Sequence, residues 1–225
     1  MAVPVKGIST VVKSNMSGNS KTIPHTQIAG SNRLITVQLT SGNQQNHTSL
    51  TYGGQALTRY YNVSRGNLGL RSSFWYLVDP PTGTNNAVIG FGGSLFNPIS
   101  VCIKSFKDSG GVGVKVAVNG NSAITSSPKT QSITVENDSL IQITSSGNTN
   151  YNTTSGAQIP TGTNQPCVNH NINKIIMAGA ISSDAGHSAG SVSVRAASGG
   201  SITLDVVEIK GLSGGGGSRR RIIIC

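Results

Sequence analysis

Phe74-Trp75-Tyr76-Leu77-Val78-Asp79-Pro80-Pro81-Thr82-Gly83-Thr84 is the stretch that decides the fold, because it holds the single tryptophan in a chain only 4% aromatic. Phe74, Tyr76 and Val78 alternate with Trp75 and Leu77, and both sets are apolar, so the run reads as a strand buried on two sides, at the core of a sandwich. Asp79-Pro80-Pro81 ends it: proline lacks the N–H that a ladder needs, and Pro81 pushes Pro80 into an extended geometry. Thr82-Gly83-Thr84 turns the chain.

Working outward, Arg33 to Leu39 reads as a strand behind the turn Gly30-Ser31-Asn32. Thr48 to Tyr52 and Gln55 to Tyr60 form a hairpin around Gly53-Gly54, a pair that takes the positive φ of a primed turn at little cost. Further strands are expected at Asn86 to Phe91, Ile99 to Phe106, Val112 to Val118, Gln131 to Val135, Ser139 to Thr144, Lys174 to Ala178, Ser191 to Ala196 and Ser201 to Ile209. Gly7 to Lys13 is a first strand, able to close its own sheet or to join a neighbour's edge. Ser14 to Lys21 and the long polar run Ser145 to Asn173 read as loops. No fixed period recurs. The expected class is all-β, a single antiparallel jelly-roll-like β-sandwich with N- and C-terminal extensions: an arm over 1–22, the sandwich over 23–211 and a tail over 212–225.

With 225 residues, the chain can bury roughly 70% of its unfolded surface in one core. Charged residues make up 11%, and the formal net charge of +10 owes as much to scarce acids as to many bases. Removing Arg219, Arg220 and Arg221 leaves +7 spread thinly. That balance suits a polyanion partner, nucleic acid or acidic glycan, or simply a basic surface. Cys102, Cys167 and Cys225 are odd in number and widely spaced, so no disulfide framework is implied, and Cys102 reads as a buried thiol. No apolar run has the length of a signal peptide or of a membrane span.

Four blocks, Gly30 to Leu34, Leu50 to Thr58, Trp75 to Thr84 and Val206-Val207-Glu208-Ile209, resemble a poorly characterised β-sandwich domain of bacterial surface and extracellular proteins and of phage structural proteins. The resemblance covers roughly residues 23 to 210 in the same order. It implies the fold and says little about activity, since the blocks are turns and core strands. The chain departs from that pattern in its long Ser145 to Asn173 segment.

Chemistry is thin. His25, His47, His170 and His187 lack metal-ligand spacing, and Cys167-Val168-Asn169-His170 is half a zinc site that reads as loop decoration. The carboxylates Asp79, Asp108, Glu136, Asp138, Asp184, Asp205 and Glu208 form no acid–base pair in sequence. Nucleophile elbows and phosphate loops are missing. The expectation is therefore no enzyme, no cofactor and no metal. Asn15, Asn46, Asn62, Asn137 and Asn152 head N-x-S/T triplets of the kind a chain rich in Asn, Ser and Thr throws up by chance.

Two functional readings follow. The first is a structural, self-assembling subunit: a virion coat or decoration protein, or a surface filament or tube. It would associate as a homo-oligomer through sheet edges and terminal arms, with Val3, Val5, Ile8 and Val11 at one end and Arg219, Arg220, Arg221, Ile222, Ile223 and Ile224 at the other. Virion or extracellular surface is the matching location. The second is a carbohydrate-binding or adhesion module contacting glycan through Arg59, Tyr60, Tyr61 and Tyr151. The glycine run before the tail has the composition of a designed linker.

Overall fold

The computed structural model describes residues 2–15, 17–65, 69–95, 98–118, 129–147, 165–172, 175–181, 188–196 and 202–212. The strands are β1 (Val5–Asn15), β2 (Gly18–Gln27), β3 (Leu34–Gly42), β4 (His47–Tyr52), β5 (Gln55–Ala56), β6 (Thr58–Arg65), β7 (Leu70–Val78) and β8 (Gly83–Leu95). They continue as β9 (Pro98–Lys107), β10 (Ser109–Val118), β11 (Lys129–Val135), β12 (Leu140–Gly147), β13 (Gln165–Ile172), β14 (Ile175–Ile181), β15 (Gly190–Ala196) and β16 (Ile202–Gly211).

Among the described residues every strand pairing is antiparallel, as expected. Three sheets stack. The outer sheet has the order β2-β8-β4-β5, the central sheet β1-β9-β3-β7-β6 and the distal sheet β10-β16-β12-β14-β13, while β11 and β15 make a separate ribbon. The central sheet is covered on both faces, and this explains why β3 is buried along its whole length.

The two faces are unlike. Toward the outer sheet, Ile35, Val37, Leu39, Trp75, Ile99, Val101 and Ile103 pack on Ile23, Leu50, Tyr52, Ala87, Ile89 and Phe91. Toward the distal sheet, Leu34, Tyr61, Phe74 and Phe106 meet Leu140, Val207 and Ile209 at one end only. Farther along, the seam turns polar: Thr36 Oγ1 donates to Gln142 Oε1 at 2.9 Å, and Lys104 is 3% exposed. Burial, then the charge of Lys6, pulls the Lys104 amine down to about 7.

Trp75 and Leu77 thus face one layer, Phe74 and Tyr76 the other, as the alternation of this stretch predicts. Val78, at the strand's end, is 51% exposed. Gly53 and Gly54 take φ of 54° and 81°, the primed turn expected of them.

Three expectations are corrected. Gly18 to Lys21 lies in β2, an edge strand whose buried face is Ile23, His25 and Gln27, so apolar alternation could not reveal it. Part of the long polar run is β13, another edge strand, where Pro166 is tolerated; Cys167 and His170 therefore lie on a strand. Cys102 is buried as expected, yet it is disulfide-bonded and not a thiol. Ala2 forms an antiparallel bridge with Leu212, so the N-terminal segment pairs within its own chain.

Candidate functional site

Three of the four sequence blocks converge at one end of the stack. Asn32 and Asp79 sit at φ of 47° and 51°, in the left-handed region that Asn and Asp tolerate best among residues with a side chain. Arg33 holds them together: its backbone N–H donates to Asp79 Oδ1 at 3.3 Å, its Nε to the Pro80 carbonyl at 2.9 Å and Nη1 to the Gly30 carbonyl at 2.7 Å. Asp79 N–H returns a bond to the Arg33 carbonyl at 2.8 Å. Tyr52 donates to the carbonyls of His25 and Gly83, at 3.0 and 3.1 Å. A β-carbon on Gly53 would stand 2.6 Å from Pro81 Cγ, so the hairpin turn rests directly on the proline step. These groups serve one another, and the blocks form a clasp.

Two buried histidines tie layers together. Ser41 Oγ donates to the Gln45 carbonyl at 3.2 Å, so it accepts from His47 Nε2 at 2.8 Å. Ser73 Oγ accepts from Trp75 Nε1 at 2.8 Å and gives its own proton to His47 Nδ1 at 2.7 Å. Burial, then the Arg71 charge, lowers His47 to about 3. A serine–histidine contact is the first half of a hydrolytic pair. Here Ser41 and Ser73 are 0% and 1% exposed, with both hydroxyl protons committed, so the contact is structural. His25 repeats the pattern between β2, β1 and β9: Nε2 donates to Ser105 Oγ at 2.7 Å, and Nδ1 accepts from Thr10 Oγ1 at 2.8 Å. Burial lowers His25 to about 4. The sequence signal for both was weak, since each sits in a polar context.

Glu208, the one charge in its apolar block, is 1% exposed and accepts from Val114 N–H at 3.0 Å, Glu136 N–H at 2.7 Å and Ser139 Oγ at 2.8 Å. It pins the turn after β11 to the distal sheet.

Of the residues proposed for glycan contact, Tyr61 is 9% exposed and stacks on Phe74 at 6.0 Å, so no sugar ring can reach its face. Tyr60 is half-buried against Phe74 and Tyr76, its hydroxyl donating to the Gly113 carbonyl, with Lys115 Nζ 4.2 Å above its ring. Arg59 is exposed and lies over Trp75 at 5.5 Å. Tyr151 lies outside the described residues, as do Arg219 to Ile224. Val5 and Ile8 are 43% and 47% exposed on β1; Val3 packs on the central–distal core and Val11 against Cys102.

Among the described residues, no three of His, Cys, Asp and Glu come together to hold a metal ion, and no helix is long and apolar enough to cross a membrane. Comparison with protein-family models, with curated proteins and with solved structures finds no match.

Proposed function

We propose that this protein is a structural, self-assembling subunit of a virion or an extracellular surface assembly, joined to its neighbours through a sheet edge. The observation that carries the reading is β1. It is a terminal strand of the central sheet, paired in unbroken register from Ser9↔Lys104 to Asn15↔Pro98. Strands of this kind template a further strand. Exposed Val5 and Ile8 add apolar area to the same edge.

The charges along the edge favour one kind of contact over another. A two-fold pairing of β1 with its own copy, centred on Ser9-Thr10, sets Lys6 opposite the partner's Lys13 and opposes like charges. Pairing with a different edge avoids this, and such head-to-tail contacts close into rings or propagate as filaments. The resemblance to surface and phage structural domains supports the same reading. Sedimentation velocity and negative-stain microscopy of the full chain test it: rings, tubes or filaments are expected, and a monomer at all concentrations up to the millimolar range overturns it.

A further inference from the structure

The central–distal seam brings two cysteine positions onto facing surfaces. Along β9, Val101 and Ile103 belong to the core shared with the outer sheet, and Phe106 to the core shared with the distal sheet. Strand alternation therefore turns Ser100, Cys102 and Lys104 toward the distal sheet together with Phe106. Cys102 is 1% exposed there, packed beside Val11 of β1, and is disulfide-bonded. The chain has three cysteines, so the partner is Cys167 or Cys225.

The register of the distal sheet places Cys167. Asp205 of β16 stands opposite Thr144 of β12, Thr144 opposite Gly179 of β14, and Gly179 opposite Cys167 of β13. Residues paired across antiparallel strands share a face. The face of this row is the one toward the central sheet: Val207 and Ile209, on the Asp205 side of β16, and Leu140, on the Thr144 side of β12, pack on Leu34, Phe74 and Phe106. β13 lies against β9 and β1, so the two cysteine positions are on surfaces that meet. Gly179, the residue beside Cys167, brings no side chain into the gap. For Cys225 to take that place, the tail after β16 would have to part the layers to reach a sulfur 1% exposed between them.

We infer that Cys102 and Cys167 form this disulfide, and that it ties β13 to the central sheet. β13 needs such a tie. It is the terminal strand of the distal sheet, laddered only to β14, its Pro166 has no N–H to give, and its register shifts between Cys167 and His170. The bond closes a long loop of chain and so restricts the unfolded ensemble. Its formation removes two protons and two electrons from the thiols: one thiolate attacks the disulfide of a donor such as oxidised glutathione, and the other displaces the donor, which leaves as two thiols. The bond also takes Cys167 out of the pair with His170 that the sequence spacing offers to zinc. Cytosolic thiols are kept reduced, so the bond favours the extracellular surface over an assembly built in the cytosol. The inference itself does not rest on assembly through β1.

The test is to refold the full chain from denaturant in a mixture of reduced and oxidised glutathione, alkylate the remaining thiols, and map the peptides without reduction. Expected is a peptide pair joining Cys102 to Cys167, with Cys225 alkylated or joined to glutathione. A Cys102–Cys225 link, or an alkylated Cys102, overturns the inference. Hydrogen exchange then tests the tie: Cys167→Ser should exchange at least about tenfold faster than the parent in β13 while β3 and β8 keep their rates, and Cys225→Ser should match the parent throughout. Equal β13 rates in Cys167→Ser and the parent, or faster β13 exchange in Cys225→Ser, overturn it. Should Cys167→Ser fail to fold, the peptide map of the unmodified chain still decides which cysteine is the partner. Particle formation is scored in parallel, so a failed assembly reading leaves this result interpretable.

Discussion

The two lateral sides of the stack differ in how they treat an exposed strand. On one side β6 ends the central sheet, but Lys115 Nζ donates to its Tyr60 carbonyl at 2.6 Å, Tyr60 reaches the Gly113 carbonyl, and Asn62 Nδ2 crosses to the His47 carbonyl at 3.0 Å. One of these bonds covers a β6 backbone carbonyl, and the other two carry β6 side chains onto backbone carbonyls of β10 and β4, tying the strand to both neighbouring layers. On the other side β1 ends the same sheet, tied inward by Thr10 to His25, with Val5 and Ile8 outward. The two edges of the central sheet are therefore held differently: β6 by side-chain bonds to both neighbouring layers, β1 through Thr10 and His25, with Val5 and Ile8 exposed, and the proposed assembly uses the second.

Acid attacks both sides at once and has the largest effect. His25 and His47 have folded values near 4 and 3, below the unfolded 6.5, so the neutral ring is what the fold holds. The stability they contribute is complete above pH 6.5 and is lost as pH falls toward 4 and 3. Between pH 7 and pH 5 each should cost roughly 2 kcal/mol, about 4 for the pair, read as a falling midpoint in urea.

Next come the two nodes separately. His47→Ala strands the buried hydroxyls of Ser41 and Ser73 and should cost about 3 kcal/mol, while His25→Ala, at the β1 side, should cost about 2. If hydrogen exchange finds β1 protected as before in His25→Ala, the histidine is not what fixes that strand. Lys104→Met removes a buried cation and should stabilise by about 1 to 2 kcal/mol at pH 7. That gain should shrink toward pH 10, because the lysine, depressed to about 7, is neutral in the fold at the higher pH and the unfolded chain gives up its proton as well. The smallest change is Lys115→Met, roughly 1 kcal/mol by chemical denaturation; it unseals β6 and should add a second mode of association.

Much of the fold was legible because its strands bury apolar residues on a regular period. The Trp75 stretch announced a strand between two layers, and Gly53-Gly54 announced its turn. What stayed hidden was polar. β2 turns His25 and Gln27 inward, β3 sends Thr36 and Gln38 into the distal seam, and Glu208 is buried in its apolar block. Periodicity in hydrophobicity cannot report a face built from hydrogen bonds. The tyrosine pair misled for the converse reason: a bulge between Arg59 and Tyr61 breaks the alternation of β6, and Tyr60 and Tyr61 both contact Phe74.

Ile8→Lys is the most direct test of the open edge, since it places a charge on an exposed edge residue without touching the core. Sedimentation velocity on this variant, beside the unmodified chain, should show an unchanged thermal transition and a single slow species where the parent forms large particles. Particles of undiminished size and yield in Ile8→Lys would contradict assembly through β1.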